Sequence, residues 1–391
     1  MRILFLSFYF PPDLCAGSFR AGALAQALAE QMGRNDAIDV ITTCPNRYAS
    51  YAVEAPEQEQ QGIVRIRRLS IPAHRSGMMD QSVAYTRFST GVWREVAKRQ
   101  YDLVFATTSR LMTGFLGAFI ARKMGVPLYL DIRDIFTDTM EDLLSGKLLK
   151  NVLPIFRGME RFSVRHASRI NLVSEGFRPY FEKITDKQKF VFFPNGIDEE
   201  FIGRDFRKVT SGPLPLVLYA GNIGAGQGLH RIVPQVAKLL ENECQFLIVG
   251  DGGMRRELEE GLGKAGITNA RILDPVPRAR LLELYAKADY LFLHLNDHKA
   301  FRRVLPSKIF EYAATGKPIL AGVAGYSRDF IHKNVDHASV FEPCDVEGFV
   351  QAFRSLLPVH VDRERFIQKF RRRTIMQGLA EDILNRGFSS S

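Results

Sequence analysis

The chain has 391 residues, 46% of them apolar and 25% charged, with a formal net charge of +10. That balance belongs to folded globular proteins, and the length exceeds one ordinary core, so two domains are expected and disordered or fibrous classes are excluded. No run of 18 uncharged apolar residues occurs, so no bilayer-spanning helix is expected, while the cationic excess favours anionic partners of some kind.

Residues 1–10 are apolar and run into Pro11-Pro12-Asp13 with no small-residue cleavage site, which reads as a first buried strand and not a signal peptide. The loop 11–20 then precedes a helix expected from about Ala21. Within it Gly17 allows close backbone approach, Ser18 offers a hydroxyl and amides, and Arg20 adds a positive charge, so it is either an anion site or a plain strand-to-helix turn. Apolar runs at 38–44, 63–69, 103–107, 127–132, 169–173 and 189–193 continue a series of buried parallel strands. Where one of them ends, Arg133 and Asp134 are candidate catalytic groups, whereas Asp131 suits a buried structural role and Asp138 a helix cap. From 143 to 169 apolar residues alternate with basic ones, and Arg157, Arg161, Arg165 and Arg169 fall on one helical face. Such a face suits anionic lipid headgroups, or equally the solvated side of a core-packed helix. Cysteines 15, 44, 244 and 344 lack metal-ligand spacing and fit a reducing cytoplasm.

Residues 196–213 turn polar and read as a linker. A second series follows, with strands at 216–220, 245–249, 270–273, 290–295, 318–323 and 339–341 and helical patterns at 229–240, 254–264, 278–288, 307–315 and 346–357. Three loops at strand ends carry chemistry. In 219–228, Gly221, Asn222, Gly224 and Gln227 belong to a glycine-rich turn whose amides suit a phosphate. In 249–253, Gly250 and Gly252 let a ligand press on the backbone, and Asp251 is a ligand contact or an N-cap. In 304–318, Leu305 and Pro306 lead into a helix whose first amides, at Ser307 and Lys308, suit an anion; Glu311 sits a turn further on, within reach of ribose hydroxyls, and Gly316 ends the helix. A surface ion pair between Lys308 and Glu311 is the ordinary alternative. No Asp-x-Asp triplet occurs, which argues against a metal-dependent single-domain transferase. The last 25 or so residues look helical until Gly387, and no nucleic-acid-binding signature is present.

With these loops assembled, the chain resembles glycosyltransferase family 4 over nearly its whole length. The resemblance rests on the Pro-Pro-Asp loop, Pro194-Asn195-Gly196-Ile197-Asp198, Gly250-Asp251-Gly252, and 306–318 followed by Gly325. It implies the α/β GT-B fold, two Rossmann-like domains whose parallel sheets face across a cleft: 1–195 for the acceptor, a linker 196–213, 214–365 for the nucleotide sugar, and a tail 366–391 crossing back to the first domain. It implies a retaining, metal-independent hexosyltransferase that needs no cofactor beyond its nucleotide-sugar substrate. Leu305-Pro306-Ser307-Lys308 and Gly221-Asn222-Ile223-Gly224 look like the O-antigen and capsule branch that includes L-fucosamine (L-FucNAc) transferases, with a UDP-linked donor and a lipid-linked glycan acceptor. A cytoplasmic protein, peripheral on the inner face of the plasma membrane, would follow. Glu311 matches the second glutamate of the family's E-x7-E motif, but Arg303 stands at the first. Asn222 and Gln227 replace the usual Arg and Lys of the phosphate loop, so Lys308, Arg302, Arg303 and Arg20 become the candidates for meeting phosphate charge. A sugar-nucleotide 2-epimerase of the same architecture, or a noncatalytic partner subunit, are the alternatives.

Overall fold

The computed structural model describes residues 1–46, 54–72, 78–97, 99–143, 147–186, 189–207 and 212–386. They form two compact units, 1–195 with 372–391 and 196–371. The chain therefore leaves the first unit at Asn195 and returns to it at Arg372, six residues later than the tail boundary expected at 366.

The first unit follows the order β1 (Arg2–Leu6), α1 (Ala16–Gln31), β2 (Ala37–Thr43), β3 (Gln58–Gln61), β4 (Val64–Leu69), α2 (Met78–Val96), β5 (Leu103–Thr107), α3 (Leu111–Met124), β6 (Leu128–Ile132), α4 (Phe136–Leu143), α5 (Lys147–His166), β7 (Arg169–Leu172), α6 (Arg178–Phe181) and β8 (Phe190–Val191). Its strands assemble as β3-β4-β2-β1-β5-β6-β7-β8, all parallel except the β3–β4 pair. The second unit contains β9 (Leu216–Ala220), α7 (Leu229–Leu239), β10 (Gln245–Val249), α8 (Arg255–Lys264), β11 (Ala270–Leu273), α9 (Arg278–Lys287), β12 (Tyr290–His294), α10 (Lys308–Ala314), β13 (Ile319–Gly322), α11 (Tyr326–Asn334), β14 (Ala338–Phe341), α12 (Val346–Ser355) and α13 (Glu364–Phe370). Its sheet, β11-β10-β9-β12-β13-β14, is parallel throughout.

Continuous apolar strands form these sheets because helices bury both faces: Ile3, Leu4, Phe5 and Leu6 are fully buried, as is β12 from Tyr290 to His294. In the second unit Ile232, Val233 and Val236 of α7 pack with Phe246, Ile248 and Leu258 into one core. Each such side chain taken from water contributes about 1.5–3 kcal/mol. The final helix, α14 (Arg372–Arg386), buries Met376, Leu379, Ala380 and Ile383 completely and packs on α1 in the first unit. Strand order reverses beside β1 in one sheet and beside β9 in the other, and ligands of open α/β sheets gather at the carboxyl ends of strands there. Gly387, the expected end of the tail helix, lies outside the described residues.

Candidate functional site

In the second unit the glycine-rich turn follows β9 and is knitted to the next strand. Gly221 N–H donates to the Val249 carbonyl at 2.8 Å and Ile223 N–H to that of Asp251 at 2.9 Å. The two loops touch backbone to backbone: a Cβ on Gly250, at φ 153°, would lie 1.8 Å from the Gly221 carbonyl oxygen, and one on Gly252, at φ 155°, 2.6 Å from that of Ile223. No other residue fits either place. Asp251 turns its carboxylate to its neighbour's amide, accepting from Gly252 N–H at 2.8 Å.

Asn222 and Gln227 brace this turn from within. Asn222 Nδ2 donates to Gln227 Oε1 at 2.8 Å, and the same oxygen accepts Gly224 N–H at 3.2 Å. The Gly224 amide, expected to point at a phosphate, is thus engaged by a side chain of its own loop. Lys308, the first residue of α10, supplies charge at the turn: a Cβ on Gly221 would sit 2.3 Å from its Nζ, which also lies 5.1 Å from the Tyr219 ring centroid. Ser307 is the N-cap of α10, whose first hydrogen bonds run from Ile309 N–H to Pro306 and from Phe310 N–H to Ser307. Leu305 is buried, and Arg303 ends the preceding 3-10 helix half-buried.

Glu311 is held firmly. Arg278 Nη1 donates to its Oε1 at 3.1 Å and Tyr285 Oη to its Oε2 at 3.1 Å. Its ion-pair partner is Arg278, which also reaches Asp198 and Glu200 of the expected linker at 3.0 Å each. Burial works against the Arg278 charge, but the three carboxylates hold its guanidinium well above its ordinary range. Arg278, His294 and Asn296 follow or end strands by the same rule that picked the other loops, yet sequence reasoning passed over them, and Tyr285, well inside α9, carries no such signal.

In the first unit the second half of the anion loop expected at 11–20, from Ala16 to Arg20, is already helix. Cys15 is the N-cap of α1 and Phe19 N–H already donates to its carbonyl at 3.1 Å. Gly17 serves close packing, a Cβ there lying 2.8 Å from Ser109 Oγ, and Ser18 is fully buried. Arg20, a candidate phosphate ligand by sequence, is 2% exposed and bidentate to Asp131, Nε to Oδ2 at 3.1 Å and Nη2 to Oδ1 at 3.0 Å. Its third arm donates to the Pro194 carbonyl at 2.6 Å, so its charge serves the fold. Burial alone would raise Asp131, yet Arg20, Arg133 and the Asn171 amide together hold its carboxyl below the usual carboxylate range.

Arg133 and Asp134 leave the end of β6 beside β5, with Arg133 N–H given to Thr108 Oγ1 at 2.9 Å. Burial, then Arg20, push the Arg133 guanidinium down to about 10, against the pull of Asp131. Asp134 keeps an open face to solvent, yet surrounding protein desolvates its carboxyl and pushes it up to about 6, outweighing the Ile135 amide that it accepts at 2.8 Å. A carboxylate poised there suits proton transfer near neutral pH. Among the described residues no group of three or more His, Cys, Asp or Glu is disposed to hold a metal ion.

The basic helix α5 presents Arg157, Arg161 and Arg165 to solvent with Ile155, which is 59% exposed. Arg157 pairs with Glu141. Arg169, counted by spacing on the same face, instead turns inward to Asp382 at 2.9 Å. The side chains at 147–150 lie outside the described residues. Among the described residues no helix is long and apolar enough to cross a membrane.

Two family models match, one per unit: a glycosyl transferase 4-like domain over 19–196 and glycosyl transferases group 1 over 203–373. WcaI of Escherichia coli (strain K12), a glycosyl transferase assigned to colanic acid biosynthesis, is 27% identical over 286 residues, 68% of this chain and 69% of its own. Among solved structures, HepE of Anabaena in complex with UDP-glucose covers 98% of this chain and 99% of its own at TM-score 0.67 and 17% identity. WaaG, a glycosyltransferase of lipopolysaccharide biosynthesis, covers 97% and 95% at TM-score 0.65 and 15% identity. Both neighbours share the two-domain fold.

Proposed function

The chain is a GT-B glycosyltransferase of the family 4 type, acting on a nucleotide sugar in surface polysaccharide assembly, and from that premise we propose a retaining, metal-independent hexosyltransferase with a UDP-linked donor. The observation that carries the donor site is Lys308 Nζ seated against Gly221, with Glu311 one turn along the same helix. A β-phosphate beside Gly221 would meet that ammonium, and the ribose hydroxyls would donate to Glu311, whose rotamer Arg278 and Tyr285 already fix. Asn222 and Gln227 keep the turn in shape, leaving the field to Lys308, Arg302 and Arg303. As the diphosphate departs, negative charge grows next to fixed cations that need no reorganisation, while an acceptor hydroxyl attacks the anomeric carbon from the same face.

UDP and UDP-glucose are bound by HepE, which supports the choice of nucleotide. The donor sugar read from Leu305-Pro306-Ser307-Lys308 is an N-acetylated amino sugar, with L-FucNAc the first candidate. The first unit takes a lipid-linked glycan near Arg133 and Asp134, and the exposed arginines of α5 rest on anionic headgroups at the inner face of the plasma membrane. Donor turnover by the purified full chain in EDTA tests this reading. Lys308→Ala is expected to lower kcat/KM by about a hundredfold or more, as loss of a transition-state charge contact does. Glu311→Ala is expected to raise the donor KM. Unchanged kinetics in both would remove the site.

A further inference from the structure

Two paths of contact leave one short segment and end on the two oxygens of a single carboxylate. The segment is 198–201, with which the chain enters the second unit, and Glu199–Phe201 forms a 3-10 helix in it. On the polar path Arg278, the first residue of α9, donates from Nη2 to Asp198 Oδ2 and from Nε to Glu200 Oε1, each at 3.0 Å. Its Nη1 donates to Glu311 Oε1 at 3.1 Å. On the aromatic path the buried ring of Phe201 lies 4.9 Å from the same guanidinium and 6.0 Å from the Tyr285 ring, whose hydroxyl donates to Glu311 Oε2 at 3.1 Å. The segment is also anchored away from Arg278: Ile197 N–H donates to the Phe370 carbonyl at 2.8 Å, and Arg371 Nε to Glu199 Oε1 at 2.7 Å.

A guanidinium is a rigid planar fork, so fixing the carboxylate on one arm fixes the geometry that the other arms offer. Each oxygen of an ionised carboxylate has more than one lone pair, so Glu311 can accept a ribose hydroxyl without releasing Arg278 or Tyr285. We propose that Arg278 is a positioning residue that couples ribose binding at Glu311 to the ordering of segment 198–201. The coupling rests on the reading above that Glu311 takes the ribose hydroxyls. A hydroxyl on Glu311 narrows the motion of the carboxylate, and the fork and the Tyr285–Phe201 contact carry that restriction to Asp198, Glu200 and Phe201. Linkage makes the effect reciprocal: loosening the segment weakens the nucleotide by the factor by which the nucleotide tightens the segment.

Amide hydrogen exchange and calorimetric titration of the full chain, with UDP and with dideoxy-UDP, which lacks both ribose hydroxyls, read the two sides of this coupling. Saturating UDP is expected to slow exchange at 197–202 about fivefold or more, and dideoxy-UDP to leave it unchanged. Asp198→Ala is expected to weaken UDP about fivefold or more without weakening dideoxy-UDP. Arg278→Met is expected to abolish the protection that UDP gives to 197–202, and Arg278→Lys, a single ammonium in place of the fork, to keep only part of it. Thermal melts check folding, and Glu200→Gln carries the reciprocal test should Asp198→Ala not fold. UDP binding with unchanged exchange at 197–202, equal protection by dideoxy-UDP, or a UDP affinity indifferent to Asp198→Ala overturns the coupling and leaves the donor site standing. Absence of UDP binding to the unaltered chain removes the donor site, and the coupling with it.

Discussion

Cys344 N–H donates to His294 Nε2 at 2.9 Å, which places the ring proton on Nδ1, where it is given to the Gln227 carbonyl at 2.6 Å. One buried imidazole thus ties the glycine-rich turn to the loop after β14, and burial pushes it down to about 4. A histidine unfolds to an ordinary value of about 6.5. Between these limits the unfolded chain takes up a proton that the folded chain refuses, so stability falls as pH falls from about 6.5 to about 4, by roughly 3 kcal/mol, and then levels off. Urea unfolding at about pH 7.5 and about pH 4.5 is expected to show a smaller difference in His294→Gln than in the wild type; equal differences would deny His294 this role. Single residues were the least legible scale. Arg20 looked like a free cation because its partner Asp131 is 111 positions away, and no local pattern announces so distant a pair. Lys308 and Glu311 were legible because they share one short helix with a Pro-Ser entry and a Gly exit.

Among the elements, the long apolar runs were read correctly as strands because burial on both faces leaves them no polar positions. β3 escaped notice: Gln58-Glu59-Gln60-Gln61 is polar throughout and pairs along the sheet edge, where no apolar face is demanded. α11 escaped as well, since only Ser327, Phe330 and Ile331 of its nine residues are buried and the apolar stripe is too narrow to read. The start of α1 was misplaced to Ala21 because Gly17 and Ser18 favour loops; tight packing of Gly17 on Ser109 and full burial of Ser18 override that preference. The joined loops after β9 and β10 give the sharpest element-level prediction. Gly250→Ala needs both a strained φ and a displaced Gly221 carbonyl, and is expected to cost on the order of 3 kcal/mol in denaturant unfolding and to weaken donor binding. A neutral outcome would show that the two loops are not coupled.

For the molecule as a whole, sequence made the two series of strands plain, but not the point at which the tail returns. The last strand-like bridge of the second unit joins Ile197 to Arg371, and α14 then belongs wholly to the first unit. Its Asp382 accepts two hydrogen bonds from Arg169, at 3.0 and 2.9 Å, and one from Tyr129 Oη at 2.7 Å. Asp382→Ala removes the carboxylate that Arg169 and Tyr129 share and is expected to destabilise the first unit by about 3 kcal/mol, seen as a lower Tm that Asp382→Asn only partly restores. An unchanged Tm would mean that α14 is held by its apolar face alone.

The central claim is that the second unit binds a nucleotide diphosphate sugar through Lys308 and the glycine turn without a divalent ion. Its most direct test is calorimetric titration of UDP-, GDP- and dTDP-sugars into the full chain in EDTA. Saturable heat with the UDP-sugars, abolished by Lys308→Ala, is the predicted result. Absence of heat with every nucleotide sugar, or binding indifferent to Lys308, would contradict it.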